Sequence, residues 1–292
     1  MPLFNLTIDA RFHFDENCRL GIQVLDPQAG GIRVLDLLPK LIGYRVRAAE
    51  KVFRRIHEDQ RDIHYFRKVA DGFRLTIDGG EDFESRVPRQ GPLIVIANHP
   101  LNGIDGMAMA AGLCGRRPDL KVMLTTTFDG IPGLPEHAIF VNASAGPSAA
   151  SRSGPVREAL AWLKAGHAVV LFPAGQGSWL RSVDHPDPVD VPWNTGVITL
   201  LKHCQASVLP VFVRGRPSHV FLQTRRLYRP LSTLFLLREI LIQEGSHVSF
   251  RVGQPVPFET VQASGDRNEQ VRFLRNLTYA LDDRIRQPTP GQ

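Results

Sequence analysis

Short apolar runs alternate with longer amphipathic stretches from residue 73 onward, and this pattern restricts the possible folds more than any other feature of the chain. Apolar residues recur with helical spacing near 106–113, 156–164, 195–203, 231–242 and 268–285. Seven β-rich runs lie before and between these stretches, at 73–77, 93–97, 121–124, 138–141, 168–172, 208–213 and 247–252. The alternation predicts an α/β fold in which helices cover the faces of one sheet.

The first 72 residues lack this alternation. From residue 32 to residue 57 the apolar residues follow helical spacing, and several arginines and lysines occupy the positions between them. We therefore predict an N-terminal helical segment over residues 1–72, followed by a sheet-containing domain over 73–292. The basic face of the predicted helix can be an ordinary solvated face or a surface for lipid or a partner, and the pattern leaves both open.

The charge and the cysteine content narrow the classes of partner. The 292 residues carry a formal charge of +6, which favours acidic partners such as anionic lipid or an acidic protein. The three cysteines match neither a zinc site nor a disulfide framework, so we expect a cytoplasmic protein without a metal or resident cofactor. Basic residues are not interleaved with aromatic ones, which argues against nucleic acid binding. No apolar run approaches the ~20 residues of a spanning helix, so membrane contact should be peripheral.

One window of the chain is both basic and apolar. No Asp or Glu occurs between Asp190 and Glu239, and the window ends near the apolar stretch 231–237. Its cationic residues are Lys202, Arg214, Arg216, Arg225, Arg226, Arg229 and Arg238. Basic residues beside an apolar stretch are typical of a membrane-surface or acidic-partner site. A buried helix behind a basic loop explains the same pattern about as well.

A histidine and a carboxylate follow the predicted strand at 93–97. His99 lies two residues beyond the strand, and Asp105 follows with glycines at positions 103 and 106. Pro100 restricts His99 to extended conformations, and the glycines let the chain fold back so that the carboxylate can reach the imidazole. A carboxylate bonded to one ring nitrogen leaves the other nitrogen as a base for an incoming hydroxyl or amine.

The same two residues also have a purely structural interpretation. His99 can be a loop histidine, and Asp105 can be the N-cap of the helix predicted near 106–113. The spacing alone does not decide between a catalytic pair and these structural roles.

Four blocks of sequence resemble the glycerophospholipid acyltransferase superfamily. They are 98–106, 171–178, 192–193 and 208–215, in an order and spacing that agree over residues 73–255. The five residues between His99 and Asp105, with a proline after the histidine, are similar to the hemolysin-like, ornithine-lipid-type branch. The resemblance implies a mixed β-sheet flanked by helices and a His99–Asp105 dyad that transfers an acyl group from a thioester.

The resemblance also surrounds the dyad with further candidate residues. Backbone N–H groups near 175–178 are expected to stabilise the oxyanion, because glycine permits close approach. An ordinary strand-to-loop connection accounts for this glycine-rich turn as well. The candidate substrate-binding residues are Asn98, Gly103, Asn142, Arg152, Phe172, Pro173, Gly175, Gln176, Ser178 and Arg214.

Two departures from the superfamily pattern concern the acceptor. Ala174 replaces the glutamate of the third block, and Ala143 replaces the arginine that grips the acceptor phosphate in glycerol-phosphate acyltransferases. A dianionic headgroup is best held by guanidinium groups. We therefore expect a lysophospholipid or an amine-bearing acceptor to be preferred over glycerol 3-phosphate, unless Arg152 or Arg214 takes over the missing role.

Together these features predict an acyltransferase that works at the cytoplasmic face of the membrane. It would move a fatty acyl group from an acyl carrier protein or coenzyme A thioester, its co-substrate, to a lysophospholipid-type acceptor. Two alternatives stay open. One is an N-acyltransferase acting on an amino acid or other amine, and the other is a non-catalytic module that binds lipid or carrier protein.

Overall fold

The computed structural model describes residues 9–15, 18–25, 44–57, 64–142, 149–178, 188–227 and 229–282. Its strands are β1 (Asp9–Phe14), β2 (Leu20–Leu25), β3 (Thr76–Asp78), β4 (Leu93–Ala97), β5 (Leu120–Thr125), β6 (Ala138–Val141), β7 (Ala168–Leu171), β8 (Ser207–Arg214) and β9 (His247–Val252). The α-helices in these ranges are α1 (Tyr44–His57), α2 (Tyr65–Gly72), α3 (Gly80–Arg86), α4 (Ile104–Leu113), α5 (Leu134–His137), α6 (Ala149–Lys164), α7 (Gly196–Cys204), α8 (His219–Leu227), α9 (Arg229–Ile242), α10 (Phe258–Ala263) and α11 (Arg267–Tyr279).

Strands β3 to β9 form one mixed sheet in the order β3-β9-β8-β4-β7-β5-β6. The five strands from β8 to β6 in this order are parallel, whereas β9 and β3 run in the opposite direction. Each of the seven runs predicted as strands overlaps one of these strands, so the predicted α/β architecture is confirmed. Strand β3, the first of this sheet in the chain, begins at Thr76 rather than at residue 73. The reason is that Phe73 is the C-cap of α2 and Arg74 adopts a positive φ of 53°.

Helices cover both faces of the sheet, and the central strand β4 divides the core between them. Leu93, Val95 and Ala97 pack into a cluster with α1, α2 and α4, whereas Ile94 and Ile96 pack with α6, α7 and α11. Successive strand residues point to opposite faces, so a strand buried on both sides must be apolar throughout. The sequence of β4 is therefore a continuous apolar run.

The N-terminal segment differs from the prediction. Residues 9–25 were expected in a helical segment, but β1 and β2 form an antiparallel hairpin in which Phe12 pairs with Ile22. The alternation that places Phe12 and Phe14 on one face, followed by a polar turn, has the period of a strand. Helices α1 and α2 do follow, and their buried residues share one core with the sheet across the boundary predicted near residue 72. Residues 26–43, where the predicted helix would begin, lie outside the described ranges.

The strand order creates a crevice at the carboxyl end of β4. The helix that follows β4 packs on one face of the sheet, and the helix that follows the neighbouring strand β7 packs on the other. Ligands of open α/β sheets bind outside the strand ends where connections diverge in this way. Within the described ranges, none of the helices combines the length and the apolar composition needed to cross a membrane.

Candidate active site

The loop that leaves β4 is fixed to the neighbouring strand by Asn98. Its amide nitrogen donates to Val213 O at 2.9 Å, and its amide oxygen accepts from Val213 N at 2.7 Å. Asn98 is buried. Both ends of the amide are therefore bonded to β8. This predicted substrate-binding residue holds the loop in place and so fixes the position of His99, the next residue.

His99 and Asp105 form the pair that the spacing predicted. The distance between His99 Nδ1 and Asp105 Oδ2 is 2.8 Å. The His99 side chain is 18% exposed, whereas the Asp105 side chain has no exposed surface. Because an ionised carboxylate only accepts hydrogen bonds, Nδ1 carries the proton, and Nε2 is the ring nitrogen with basic character.

Asp105 also organises the start of helix α4. Its Oδ1 accepts from the amides of Gly103 and Gly106, each at 3.0 Å, and its Oδ2 accepts from Leu101 N at 2.9 Å. The helix begins at Ile104, with Gly103 as its N-cap at a φ of 128°. Asp105 is therefore not the N-cap, as the structural interpretation of the sequence had it, but a residue of the first turn that combines amide binding with the bond to His99.

The surroundings of Asp105 favour its ionised form. Burial by itself would raise the pKa of this carboxyl group. The charge and hydrogen bond of His99, together with the amides of Leu101 and Gly103, outweigh burial and lower the pKa below its ordinary value. A carboxylate that stays ionised can stabilise an imidazolium when His99 accepts a proton.

Phe172 lies against the imidazole of His99. The two ring centroids are 4.2 Å apart and the ring planes differ by 27°, so the rings are stacked. Phe172 also lies beside Gly106, where a Cβ would come within 3.4 Å of the phenyl ring. The predicted residue Phe172 therefore belongs to the site, where it confines the orientation of the base.

The turn after β7 packs directly against the His99 loop. Gly175 has a φ of 66°, and its N–H donates to Phe172 O at 2.9 Å. The N–H of Ser178 donates to His99 O at 2.8 Å. Both amides are thus bonded within the protein in this structure, and the predicted oxyanion role of the turn stays a prediction. Pro173 is buried beneath the turn, and Gln176 is half-buried on it.

Gly177 is required by a close approach that the sequence did not reveal. A Cβ at this position would lie 1.6 Å from Oδ1 of the buried residue Asn102. Asn102 itself has a positive φ of 55° in the His99 loop. The two loops therefore meet without room for a side chain, and glycine serves packing here.

Asp190 is a buried residue of this site that the sequence analysis missed. It accepts hydrogen bonds from the backbone N–H of His99 at 3.1 Å, from the Ser178 hydroxyl, and from Trp193 Nε1 at 2.8 Å. Its own N–H donates to Tyr279 OH at 2.9 Å. The only sequence feature that could have pointed to Asp190 is its position beside the Pro-Trp dipeptide. Its spacing from His99 gave no indication that the two residues are in contact.

Three predicted residues do not join the dyad. Arg214 lies at the end of β8 on the same edge of the sheet, with Asp282 Oδ1 3.6 Å from its Nη2. Asn142 follows β6, three strands away from β4 and thus roughly 14 Å from it in the sheet. The side chain of Arg152, in the first turn of α6, lies outside the described part of the chain.

An apolar pocket adjoins the start of α4. Gly103, Gly106 and Met107, which are close to Asp105 in the chain, are among the residues that line it. The hairpin and helices α1 and α2 enclose the other side. Seven aromatic side chains line it: Phe12, Phe14, Phe53, Tyr65, Phe66, Phe73 and Phe128. A pocket of this character accepts a hydrocarbon chain and offers no charged group to a polar ligand.

The chain is similar to two named lipid acyltransferases. The chain is 22% identical over 208 residues to a lyso-glycine lipid O-acyltransferase of Phocaeicola vulgatus, covering 67% of this chain and 70% of the relative. A lyso-glycine lipid O-acyltransferase of Bacteroides thetaiotaomicron is 24% identical over 208 residues, with coverages of 67% and 72%.

A solved structure and a family model also match. The crystal structure of the 1-acyl-sn-glycerophosphate acyltransferase PlsC from Thermotoga maritima covers 84% of this chain and 90% of its own, with 16% identity and a TM-score of 0.48. The model of an acyltransferase family matches residues 54–287, which include every strand of the seven-stranded sheet and the His99–Asp105 pair. The chain therefore belongs to this acyltransferase family, within the glycerophospholipid acyltransferase superfamily, and is an acyltransferase.

Proposed function

We propose that this enzyme transfers a fatty acyl group from a thioester to the hydroxyl of a lysolipid, with His99 as the general base. The observation that carries the proposal is the 2.8 Å bond between His99 Nδ1 and Asp105 Oδ2 at the end of a rigid strand. This bond directs the basic nitrogen of the ring away from the buried carboxylate. The apolar pocket at the start of α4 supplies a place for the acyl chain.

The proposed reaction moves one proton through His99. Nε2 removes the proton of the acceptor hydroxyl while its oxygen attacks the thioester carbonyl, and the resulting imidazolium faces the ionised Asp105. When the tetrahedral intermediate collapses, the carbon–sulfur bond breaks and the thiol leaves with the proton from Nε2. General-base assistance of this kind contributes roughly 10²–10⁴-fold to the rate.

The apolar pocket supports a long-chain donor. None of its described lining residues is charged, which suits a hydrocarbon chain. Gly103 and Gly106, the chain neighbours of Asp105, line it without side chains of their own. We therefore assign the pocket to the fatty acyl chain and the open side of His99 to the acceptor.

The relatives guide the choice of acceptor. Both are named as O-acyltransferases of a lyso-glycine lipid, which supports an oxygen as the acceptor atom here. An amino-acid lipid lacks the phosphate dianion for which the arginine missing at Ala143 would be needed. We therefore propose a lyso-form of an amino-acid lipid as the preferred acceptor, and we expect glycerol 3-phosphate to be a poor one.

The donor and the membrane contact remain part of the proposal. Helices α8 and α9 follow the carboxyl end of β8, on the edge of the sheet that holds His99, and they contain the later part of the basic and apolar window, including the stretch 231–237. This placement supports docking of a membrane surface or an acidic carrier protein there. The side chains of Arg225, Arg226 and Arg229 lie outside the described part of the chain.

The test is a transfer assay with defined substrates. Purified enzyme receives palmitoyl thioester on either acyl carrier protein or coenzyme A, together with a lyso-glycine lipid, a lysophospholipid, a free amine or glycerol 3-phosphate. Thiol release and mass spectrometry of the products measure the reaction. Acylation of the lysolipid hydroxyl supports the proposal. Acylation of the amine alone would establish an N-acyltransferase. Absence of thioester cleavage with either donor would overturn the proposal in favour of a binding module.

A further inference from the structure

We propose that Asp190 is a positioning residue that fixes the main chain of His99 and favours its protonated state during the reaction. This inference rests on the proposed role of His99 as the base. It concerns a carboxylate that contacts the base through its backbone rather than through its ring.

The contacts of Asp190 form a closed connection between two loops. Its Oδ1 accepts from the N–H of His99 and from the hydroxyl of Ser178, while the N–H of Ser178 donates to the carbonyl of His99. Both backbone groups of His99 are therefore bonded to this pair. Because the Ser178 loop also contains Phe172, the connection ties the stacked phenyl ring to the base that it contacts.

The charge of Asp190 is not required for holding the loops. Its side chain is 1% exposed, and in the described part of the chain its oxygens meet three neutral donors, from His99, Ser178 and Trp193. A neutral amide oxygen can accept the same bonds without the cost of burying a charge. Burial raises the pKa of Asp190, and these donors partly oppose that effect.

The cation that would compensate this charge arises during the proposed reaction. His99 becomes positive when Nε2 takes the acceptor proton, and it then lies between two carboxylates, Asp105 at Nδ1 and Asp190 behind the main chain. Among the described residues, two further titratable side chains that bond to Asp190 are on α11. Arg275 Nη2 lies 3.5 Å from the backbone oxygen of Asp190, and Tyr279 accepts its N–H. Neither contacts the carboxylate oxygens.

Three variants separate the charge from the hydrogen bonds. Asp190→Asn removes the charge and keeps an oxygen for His99 and Ser178, but its NH₂ group opposes Trp193 Nε1. Trp193→Phe keeps the charge and removes that indole donor. The double variant Asp190→Asn with Trp193→Phe removes the charge without the conflict between donors, and it serves if the single asparagine variant does not fold.

The primary readout does not depend on activity. NMR titration of ¹³C-labelled histidine measures the pKa of His99, whose signal is identified by its loss in His99→Gln. We expect this pKa to fall by about half a unit or more in Asp190→Asn and in the double variant, because a nearby negative charge is gone. Trp193→Phe should leave it unchanged. Equal His99 pKa values in the parent and both asparagine variants would overturn the proposal.

The kinetic readout applies the same variants to the transfer assay. We expect kcat of the charge-removing variants to fall about tenfold, with KM for the thioester unchanged, and the acid limb of the pH profile to shift to lower pH. A kcat equal to that of Trp193→Phe would contradict the proposal. If the parent catalyses no transfer, the proposed function fails, and the titration still decides the role of Asp190.

Discussion

Replacement of Asp105 by asparagine tests how the dyad is held together. The carboxylate accepts four hydrogen bonds, one from His99 and three from backbone amides. An asparagine that keeps its oxygen toward Gly103 and Gly106 must place its NH₂ group toward Leu101 N–H, which is a donor. If Asp105 were only an N-cap, asparagine would replace it with little loss of stability, but the contacts in the structure leave one buried N–H without an acceptor.

The expected loss of folding stability in Asp105→Asn follows from this one unsatisfied N–H group. A buried donor left without a partner costs about 1–3 kcal/mol. For a protein of this size, such a loss lowers Tm by roughly 2–4 °C per kcal/mol. The effect on catalysis should be larger, because the new NH₂ group donates to Nδ1 of His99 and drives the ring proton onto Nε2. We expect kcat to fall by roughly 10²–10⁴-fold, as for loss of a general base.

The assay compares two asparagine variants by thermal unfolding and by thiol release from an acyl thioester. Asp266→Asn is the matched control. Asp266 is the N-cap of α11, and its side chain accepts only from Asn268 N and Glu269 N, which an amide oxygen can do equally well. We expect this control to retain stability and turnover. Near-parental turnover of Asp105→Asn would refute the catalytic role of the carboxylate.

Three further predictions concern the turn, the pocket and the response to acid. Gly177→Ala should lower turnover by about 10²-fold through displacement of the dyad loop, whereas Gly154→Ala, with open space around it, should not; equal turnover of the two would contradict the packing argument. Ala49→Phe should reduce transfer of a hexadecanoyl group more than of an octanoyl group, because Ala49 lines the pocket; unchanged chain-length preference would remove the acyl assignment. Because the pKa of folded Asp105 is lowered, its contribution to stability exists above about pH 4 and is lost as pH falls through the folded value. The difference in unfolding free energy between parent and Asp105→Asn should therefore shrink in acid, and a difference that is constant with pH would contradict this.

The local parts of the fold were predictable from the sequence. Strand β4 is buried on both faces, so its residues are apolar without interruption, and the dyad follows it within a few positions. The bond between His99 and Asp105 joins residues six positions apart, and the glycines and the proline between them restrict the loop enough for spacing to be informative.

The contacts between distant segments could not be predicted in this way. Asp190 lies 91 positions from His99 in the chain, and no short-range pattern records their contact. The apolar pocket depends on the hairpin, where Phe12 lies against Phe128 with the ring centroids 5.6 Å apart. Without knowledge of that packing, the aromatic residues of the N-terminal segment indicate only a core.

The most direct test of the central claim is mass spectrometry of lipids from cells that express the parent or the His99→Ala variant at equal levels. His99 is the base in the proposed reaction, and its ring bonds to Asp105 and stacks on Phe172. The account predicts that the parent alone accumulates a lipid with one additional acyl group and depletes the corresponding lysolipid. Identical lipid profiles from the parent and the variant would contradict it.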